Sequence, residues 1–476
     1  MSILLINPPY TLEDRYGKNL KFFGGNAEPL GIAYIAANAR KNGYNVTIID
    51  APAENLNSDQ IANIISEKKY KLIGITMLTP MFKRVSELIT KIKDKNKDVI
   101  IVLGGPHPTA LPEETLKELN CDIICCGEGE HTFTEIADAI LANKIKLEEI
   151  KGIYYKDKKN NIIKNPMRPF EKNIDNFPAP ARDLLPMEKY FLTATRVKGT
   201  GFCGTVIIAR GCPFNCTYCS HTFGRTFRAH STERIIYEIE ELINKYNATQ
   251  INFEADTLTL NKKFIISLCD ELIKRNINKK IKWTCESRID TIDEEILRKM
   301  KEAGCWQISI GVESGSDRLL KKINKGITKS QIQNGFELIK KVGISIRGFF
   351  MIGLPTETKE ETLETINFAT KLNPDWAQFT ITIPYPGTPL FDELKSKNEI
   401  QSFKWEDYRT WGGWTDESIP YITKGRTVNE LKKLQKYALR KFYLRPIIFW
   451  KFLKSIDSLK TLKKYIKGLI ILIKSK

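Results

Sequence analysis

Two patterns alternate along most of the chain. Short apolar runs end at Gly, Pro or Asp, and longer stretches follow in which apolar residues recur every three or four positions. "ILLINPP" is such a run, stopped by Pro8 and Pro9. "LGIAYIAANARKNG" has helical spacing and ends at Gly43, and "YNVTIID" is a strand ending at Asp50. "YKLIGITML" predicts another strand, with a helix after it over about 81–95. "DVIIVLGGPHP" and "CDIICCGEGE" predict two more, each running into a Gly-rich loop. Apolar strands separated by amphipathic helices form a parallel sheet covered on both faces. Residues 1–155 are therefore expected to be a doubly wound, Rossmann-like (flavodoxin-like) α/β domain. Ligands of such sheets bind beyond the carboxyl ends of the strands. Here those ends are residues 7–9, Asp50, and residues 76–79, 104–109 and 127–130.

The rhythm breaks over 156–199. "YYKDKKNNIIKN" predicts a hairpin, and the Pro-rich "DNFPAPARDLLP" an extended linker. From 200 to 395 strands return as "GTVIIAR", "QINFEAD", "IKWTCESR", "WQISIGVES", "ISIRGFFMIGLP" and "WAQFTITIPYPGTP", separated by helices such as "STERIIYEIEELINKY". About six βα units predict a full or partial (β/α)6 barrel, whose chemistry belongs at the carboxyl ends of its strands. Residues 396–476 predict a helical, basic C-terminal region.

Composition changes the picture in two places. The chain has 476 residues, with 42% apolar and 27% charged, as expected for a folded protein of two or three domains. No apolar run reaches 18 residues, and the start reads as a first strand rather than a signal peptide, so a cytoplasmic location is expected. The net charge is +18, but residues 427–476 alone carry fourteen Lys and Arg against Glu430 and Asp457, or +12. The excess is thus a property of the tail. "ELKKLQKYALRKFYLRP" predicts a helix with an apolar stripe through Leu431, Leu434 and Ala438, and the segment after it mixes Trp, Phe, Leu and Ile with lysines. Two readings of it stand: a helix docked on the barrel, or a peripheral contact with the inner face of a membrane. Nucleic acid is disfavoured, because no recognition module accompanies the charge.

Cysteine is the second place. Cys212, Cys216 and Cys219 lie in "ARGCPFNCTYCS", directly after a predicted strand. A structural zinc site wants a fourth ligand at finger spacing, and neither His221 nor His230 supplies it. A cubane iron–sulfur cluster held by three cysteines leaves one iron for an outside ligand. The other seven cysteines have no cluster spacing and are expected to pack as small hydrophobes.

"ARGCPFNCTYCS", "ISIGVESGSD" and "GFFMIGLPTET", behind an α/β domain, resemble the cobalamin-dependent branch of the radical S-adenosylmethionine (SAM) superfamily. The resemblance covers nearly the whole chain. It implies three cofactors: a [4Fe-4S] cluster on the three cysteines, SAM on the open iron, and cobalamin. It places Tyr218 near the adenine, and Glu254 or Asp256 at the SAM amino group. Ser287 and Arg288 would hold the SAM carboxylate, Glu313 would meet the ribose hydroxyls, and Gly353 would admit the adenine.

In the first domain, Thr76-Met77-Leu78 and Gly104-Gly105 resemble two of the three elements of cobalamin domains; the histidine-bearing element is missing. Candidate cobalamin contacts are Pro8, Pro9, Thr76, Leu78, Thr79, Gly104, Gly105, Pro106, His107, Gly127 and Glu128, with a cobalt that has no histidine lower ligand. Trp411, Gly412, Gly413 and Trp414 are candidates for a substrate pocket. The implied activity is methylation of an unactivated carbon of a small-molecule, lipid or peptide substrate. It would draw on an external one-electron reductant of flavodoxin or ferredoxin type. The alternatives are a cyclase that uses both cofactors without methyl transfer and a non-catalytic corrinoid or metal-binding protein.

Overall fold

The computed structural model describes residues 2–21, 24–193, 195–199, 201–409, 418–454, Leu462 and Gly468. The first sheet contains β1 (Ser2–Asn7), β2 (Asn45–Asp50), β3 (Leu72–Thr76), β4 (Ile100–Gly104), β5 (Ile123–Cys125), β6 (Ile153–Lys156) and β7 (Ile162–Lys164). Their order is β2-β1-β3-β4-β5-β6-β7, parallel through β5 and antiparallel after it. This is the flavodoxin-like winding, with its topological switch between β1 and β3. The strands read as unbroken apolar runs because both faces are covered. Ile3, Leu5, Leu72 and Val102 pack into one core, and Leu4, Ile6, Ile73, Ile75 and Leu103 into the other. The predicted hairpin exists as β6 and β7, but it extends this sheet, so the expected boundary at residue 155 falls inside β6.

The second sheet follows as β8 (Phe202–Ile207), β9 (Ala209–Arg210), β10 (Arg228–Ala229), β11 (Ala248–Glu254), β12 (Lys282–Ser287), β13 (Cys305–Glu313), β14 (Ser345–Ile352) and β15 (Trp376–Ile381). Six of these form a wholly parallel sheet in the order β8-β11-β12-β13-β14-β15. Among the described residues β8 and β15 are not paired, so the barrel is partial. β9 and β10 form a separate antiparallel pair. It closes the loop that bears the three cysteines.

The alternation in the barrel strands sorts their side chains. Ile251, Phe253, Trp283, Cys285, Ile308, Ile310 and Ile346 enter the apolar core. Asn252, Thr284 and Gln307 stand in cross-strand register, as do Glu286, Ser309 and Arg347. These alternate positions make the inner face polar. Helix Val428–Tyr443 covers the β15 side through Leu431, Leu434 and Ala438, as the stripe predicts. It ends ahead of Pro446, as expected. No helix among the described residues is long and apolar enough to cross a membrane.

Charged groups join the two halves. Arg182 of the linker is fully buried and donates to Glu238 Oε2 at 2.9 Å, Glu241 Oε2 at 3.3 Å and the Thr205 carbonyl at 2.9 Å. Tyr34 of helix Leu30–Lys41 donates to Glu238 Oε1 at 3.2 Å. Glu28 accepts from the Thr205 N–H and hydroxyl. Removing one member of a buried ion pair strands the other charge. Arg182→Met is expected to destabilise the protein by about 3–5 kcal/mol, read as a lowered urea midpoint. A midpoint unchanged from wild type would contradict this role.

Candidate functional site

The cysteine loop starts where β8 runs into β9. Gly211 has φ 90°, and a Cβ there would lie 2.2 Å from the Thr226 carbonyl oxygen. Only glycine fits that turn. The Gly211 N–H donates to Asp256 Oδ2 at 2.8 Å, tying the start of the loop to the end of β11. Cys212 is half-buried, Cys216 buried and Cys219 exposed. The Cys212 sulfur lies 3.7 Å from the Thr257 hydroxyl, and Arg288 Nη1 donates to the Cys216 sulfur at 3.4 Å. Donors of this kind suit thiolates, whose charge they offset. His221 Nε2 is engaged by the Phe214 carbonyl at 2.8 Å, so the loop offers three cysteines and no fourth ligand from that side chain. No group of three or more His, Cys, Asp or Glu among the described residues converges on a single metal point. A cubane makes no such demand, because its irons occupy separate corners. The three cysteines and their donors therefore fit a cluster better than a lone ion.

Of the SAM candidates, Tyr218 belongs to this loop and Asp256, Arg288 and Glu313 contact it, but several are engaged in ways the sequence does not reveal. Tyr218 donates to Glu313 Oε1 at 2.9 Å. Lys325 Nζ donates to the Tyr218 hydroxyl at 3.0 Å and to the same Glu313 oxygen at 2.9 Å. Lys325 and Glu313 are both buried. Lys325 was not among the candidates; its only sequence signal is a lysine between Asn324 and Gly326, one turn past a helix.

Arg288, expected to present a free fork to a carboxylate, has its fork occupied. It makes a bidentate pair with Asp290 at 3.0 and 2.9 Å, donates to the Lys325 carbonyl at 2.6 Å, and lies 3.7 Å over the Phe214 ring. Ser287 is buried in a hydroxyl cluster with Thr259 and Thr291. At Gly353, with φ 78°, a Cβ would lie 3.3 Å from Leu431 Cδ1, so the missing side chain lets helix Val428–Tyr443 approach. Of the two acids, Asp256 is engaged by Gly211. Glu254 accepts from Asn252 Nδ2 at 2.5 Å and pairs with Arg196 at 3.4 Å. Burial and the neighbouring Glu286 raise its carboxyl above the usual range.

Arg196 also pairs with Glu286, so the linker reaches the polar inner face. Deeper on that face, Arg347 donates to Gln378 at 2.8 Å. Burial and the charge of Arg196 pull its guanidinium down to about 10. Arg347 Nη1 and both amide atoms of Gln307 are buried with no hydrogen-bond partner among the described residues. The signal for this chamber is the alternation of polar and apolar residues in parallel strands, which are usually apolar on both faces.

The crevice of the first sheet is bounded by the turns after β1, β3 and β4. Pro8 and Pro9 are buried in the turn after β1. Asn7 and Tyr190 both donate to Asp50, at 2.9 and 2.7 Å. Thr76 and Gly104 are half-buried, Pro106 is exposed, and Leu78 is 41% exposed, an apolar side chain facing solvent. Gly105 has φ 103° and would clash with the Met77 carbonyl oxygen at 2.9 Å if it carried a Cβ. Its role is thus the close approach of two loops.

His107 and Thr79 are buried and contact each other at 3.3 Å. The His107 ring meets Phe82 and Trp405 edge-on at 5.5 and 5.0 Å, and burial lowers its pKa to about 4. Its ring is packed between the turn after β3 and Trp405. Gly127 lies in the open, with φ 75° and nothing near its Cβ position.

Glu128 requires a correction. Instead of facing the crevice, it accepts from Arg210 at 3.0 Å, from Arg228 at 2.9 and 3.0 Å, and from the Glu171 N–H at 3.1 Å. Arg210 also donates to Glu130 at 2.7 Å. Both arginines belong to the β9–β10 pair that closes the cysteine loop, and both acids follow β5. All four side chains are buried. Burial pulls the Arg210 guanidinium down, but Glu130 and Glu128 outweigh it and raise it. The two buried carboxylates there find their counter-charges in the arginines of the other domain. Trp411, Gly412, Gly413 and Trp414 lie outside the described residues.

Comparison with known proteins matches this arrangement at both ends. Residues 206–369 match the radical SAM superfamily and residues 20–137 the B12 binding domain. The chain is 39% identical over 457 residues to an uncharacterised methyltransferase of Pyrococcus horikoshii, covering 95% of this chain and 94% of the relative. It is 30% identical to the anaerobic magnesium-protoporphyrin IX monomethyl ester cyclase of Rubrivivax gelatinosus, over 85% of this chain and 72% of the relative. Two solved structures share the fold. The cobalamin-dependent SAM radical enzyme OxsB has a TM-score of 0.76 at 20% identity, over 97% of this chain and 70% of that one. The radical SAM methyltransferase TsrM of Kitasatospora setae has 0.71 at 15%, over 94% and 89%. Two domain families in this order, with a relative at 39% identity along almost its full length, place the chain in the cobalamin-dependent radical SAM family.

Proposed function

We propose that the chain is a methyltransferase acting on an unactivated carbon. The observation that carries this reading is the 39% identity to a methyltransferase along 95% of the chain, and the ionic joint between the cysteine loop and the carboxyl end of β5 fits it by seating that loop against the other domain. When bound, the cluster, SAM and cobalamin supply a hydrogen-abstracting radical and a methyl donor. The protein supplies position and exclusion of water. Cys212, Cys216 and Cys219 would hold the cluster, a three-cysteine set that leaves room for SAM to bind it. Thr257 and Arg288 stabilise the thiolates of Cys212 and Cys216.

Lys325 is the cation for the SAM carboxylate: Tyr218 and Glu313 take two of its three N–H donors, whereas Arg288 is spread over Asp290, the Lys325 carbonyl and the Cys216 sulfur. Glu254 or Asp256 takes the amino group, each with one carboxylate oxygen already held by protein donors. Tyr218 and Glu313 brace Lys325 from the adenosine side. The inner face around Arg347 and Gln307 receives a polar portion of the substrate. An external donor of flavodoxin or ferredoxin type delivers the electron. The 30% identity to a cyclase supports a second reading, in which both cofactors act without methyl transfer.

The protein reconstituted anaerobically with iron, sulfide and cobalamin should cleave SAM under dithionite to 5′-deoxyadenosine. With its substrate it should also form S-adenosylhomocysteine and a methylated product. 5′-Deoxyadenosine without S-adenosylhomocysteine would favour the cyclase reading, and neither product would remove both. Cys216→Ala should lose cluster absorbance together with SAM cleavage; keeping either would oppose the ligand assignment. Lys325→Met should weaken SAM binding about 10- to 100-fold, the worth of one charge-assisted hydrogen bond. Tyr218→Phe should weaken it far less. The readout is the SAM-dependent change in the EPR spectrum of the reduced cluster. Equal SAM affinity in wild type and Lys325→Met would refute that role.

A further inference from the structure

We propose that the C-terminal helices dock on an anionic lipid bilayer. Helix Val428–Tyr443 has its apolar stripe against the barrel, and its opposite side carries exposed Lys433 and Tyr437, eleven and seven residues before exposed Leu444. That spacing puts the three on one side of a helix. Helix Pro446–Lys454 is held on its inner side by Ile448, which is fully buried, and by Lys451, which pairs with Asp375 at 2.9 Å. Its outer side leaves Ile447, Phe449 and Trp450 exposed by 47, 55 and 62%. A contiguous group of large apolar side chains facing water marks an interaction surface.

The occupant follows from charge. Residues 427–476 carry +12, and the part beyond this helix, 455–476, adds six lysines against Asp457, interleaved with Ile, Leu and Tyr. Apolar anchors among lysines match a surface that is apolar inside and anionic outside. A second copy of this chain would bring the same positive charge to the contact and be repelled. Nucleic acid would meet the charge but leave Ile447, Phe449 and Trp450 in water. Trp and Phe insert at the acyl boundary, while lysines stay at the headgroups.

The test is co-sedimentation of the full-length, cofactor-loaded protein with vesicles. Phosphatidylcholine vesicles containing phosphatidylglycerol should carry the protein down; vesicles of phosphatidylcholine alone should not. High salt should release it, because exposed charges are screened within about 8 Å at physiological ionic strength. Phe449→Ser/Trp450→Ser should lower binding about tenfold or more. The variant's cobalamin and cluster absorbance should match wild type, since neither side chain is buried. Three results would overturn the proposal: wild type left in the supernatant with both vesicles, equal sedimentation of wild type and variant, or a wild-type dimer that the variant converts to monomer without loss of vesicle binding.

Discussion

The arrangement of this molecule depends on four buried charges. Arg210 and Arg228 flank the three cysteines, and Glu128 and Glu130 follow β5 of the other domain. Desolvating such ions costs several kcal/mol each, and only close, hydrogen-bonded pairing recovers it. The joint therefore tolerates little displacement. It is steadied by Arg210 stacking near Tyr34, Phe177 and Phe223 at 5.2–5.3 Å. If the two domains moved apart, Glu128 and Glu130 would lose their partners together. The cysteine loop is thus fixed from two sides: by this joint, and by Asp256 and Arg288 of the barrel.

The barrel adds a second constraint. Its outer side chains are ordinary core, but its inner face carries Asn252, Glu254, Glu286, Gln307 and Arg347, and Gln307 and Arg347 keep buried polar atoms without a partner among the described residues. Buried polar groups left unmatched cost stability. They are tolerated where a cofactor or substrate supplies the missing partners. Two cations beside the loop are held differently: the Arg288 guanidinium is fixed to Asp290 beside the Cys216 sulfur, and the Lys325 ammonium stands on the Tyr218–Glu313 pair.

Much of this was legible in the chain. Periodicity gave the strand order of events, the Gly-rich strand ends and the three-cysteine loop, because those signals are local. Glu128 misled, since a Gly-Glu-Gly strand end looks the same whether it faces a ligand or an arginine 82 residues away. Arg196 was missed for the related reason that Glu286 is 90 residues away, and Lys325 because the contact that ties it to the cysteine loop, Tyr218, lies 107 residues away, although Glu313 is only 12 away. A glycine in a turn records a close neighbour without naming it, and at Gly353 the structure supplies Leu431.

The central claim is that the ionic joint holds the cluster loop in register with the corrinoid crevice. The most direct measurement is the dipolar distance between the reduced cluster and cob(II)alamin, by pulsed EPR, in wild type and in Arg210→Met. The account predicts one narrow distance in wild type and a broadened or longer distribution in the variant, with both cofactors still bound. The same narrow distance in both proteins would contradict it.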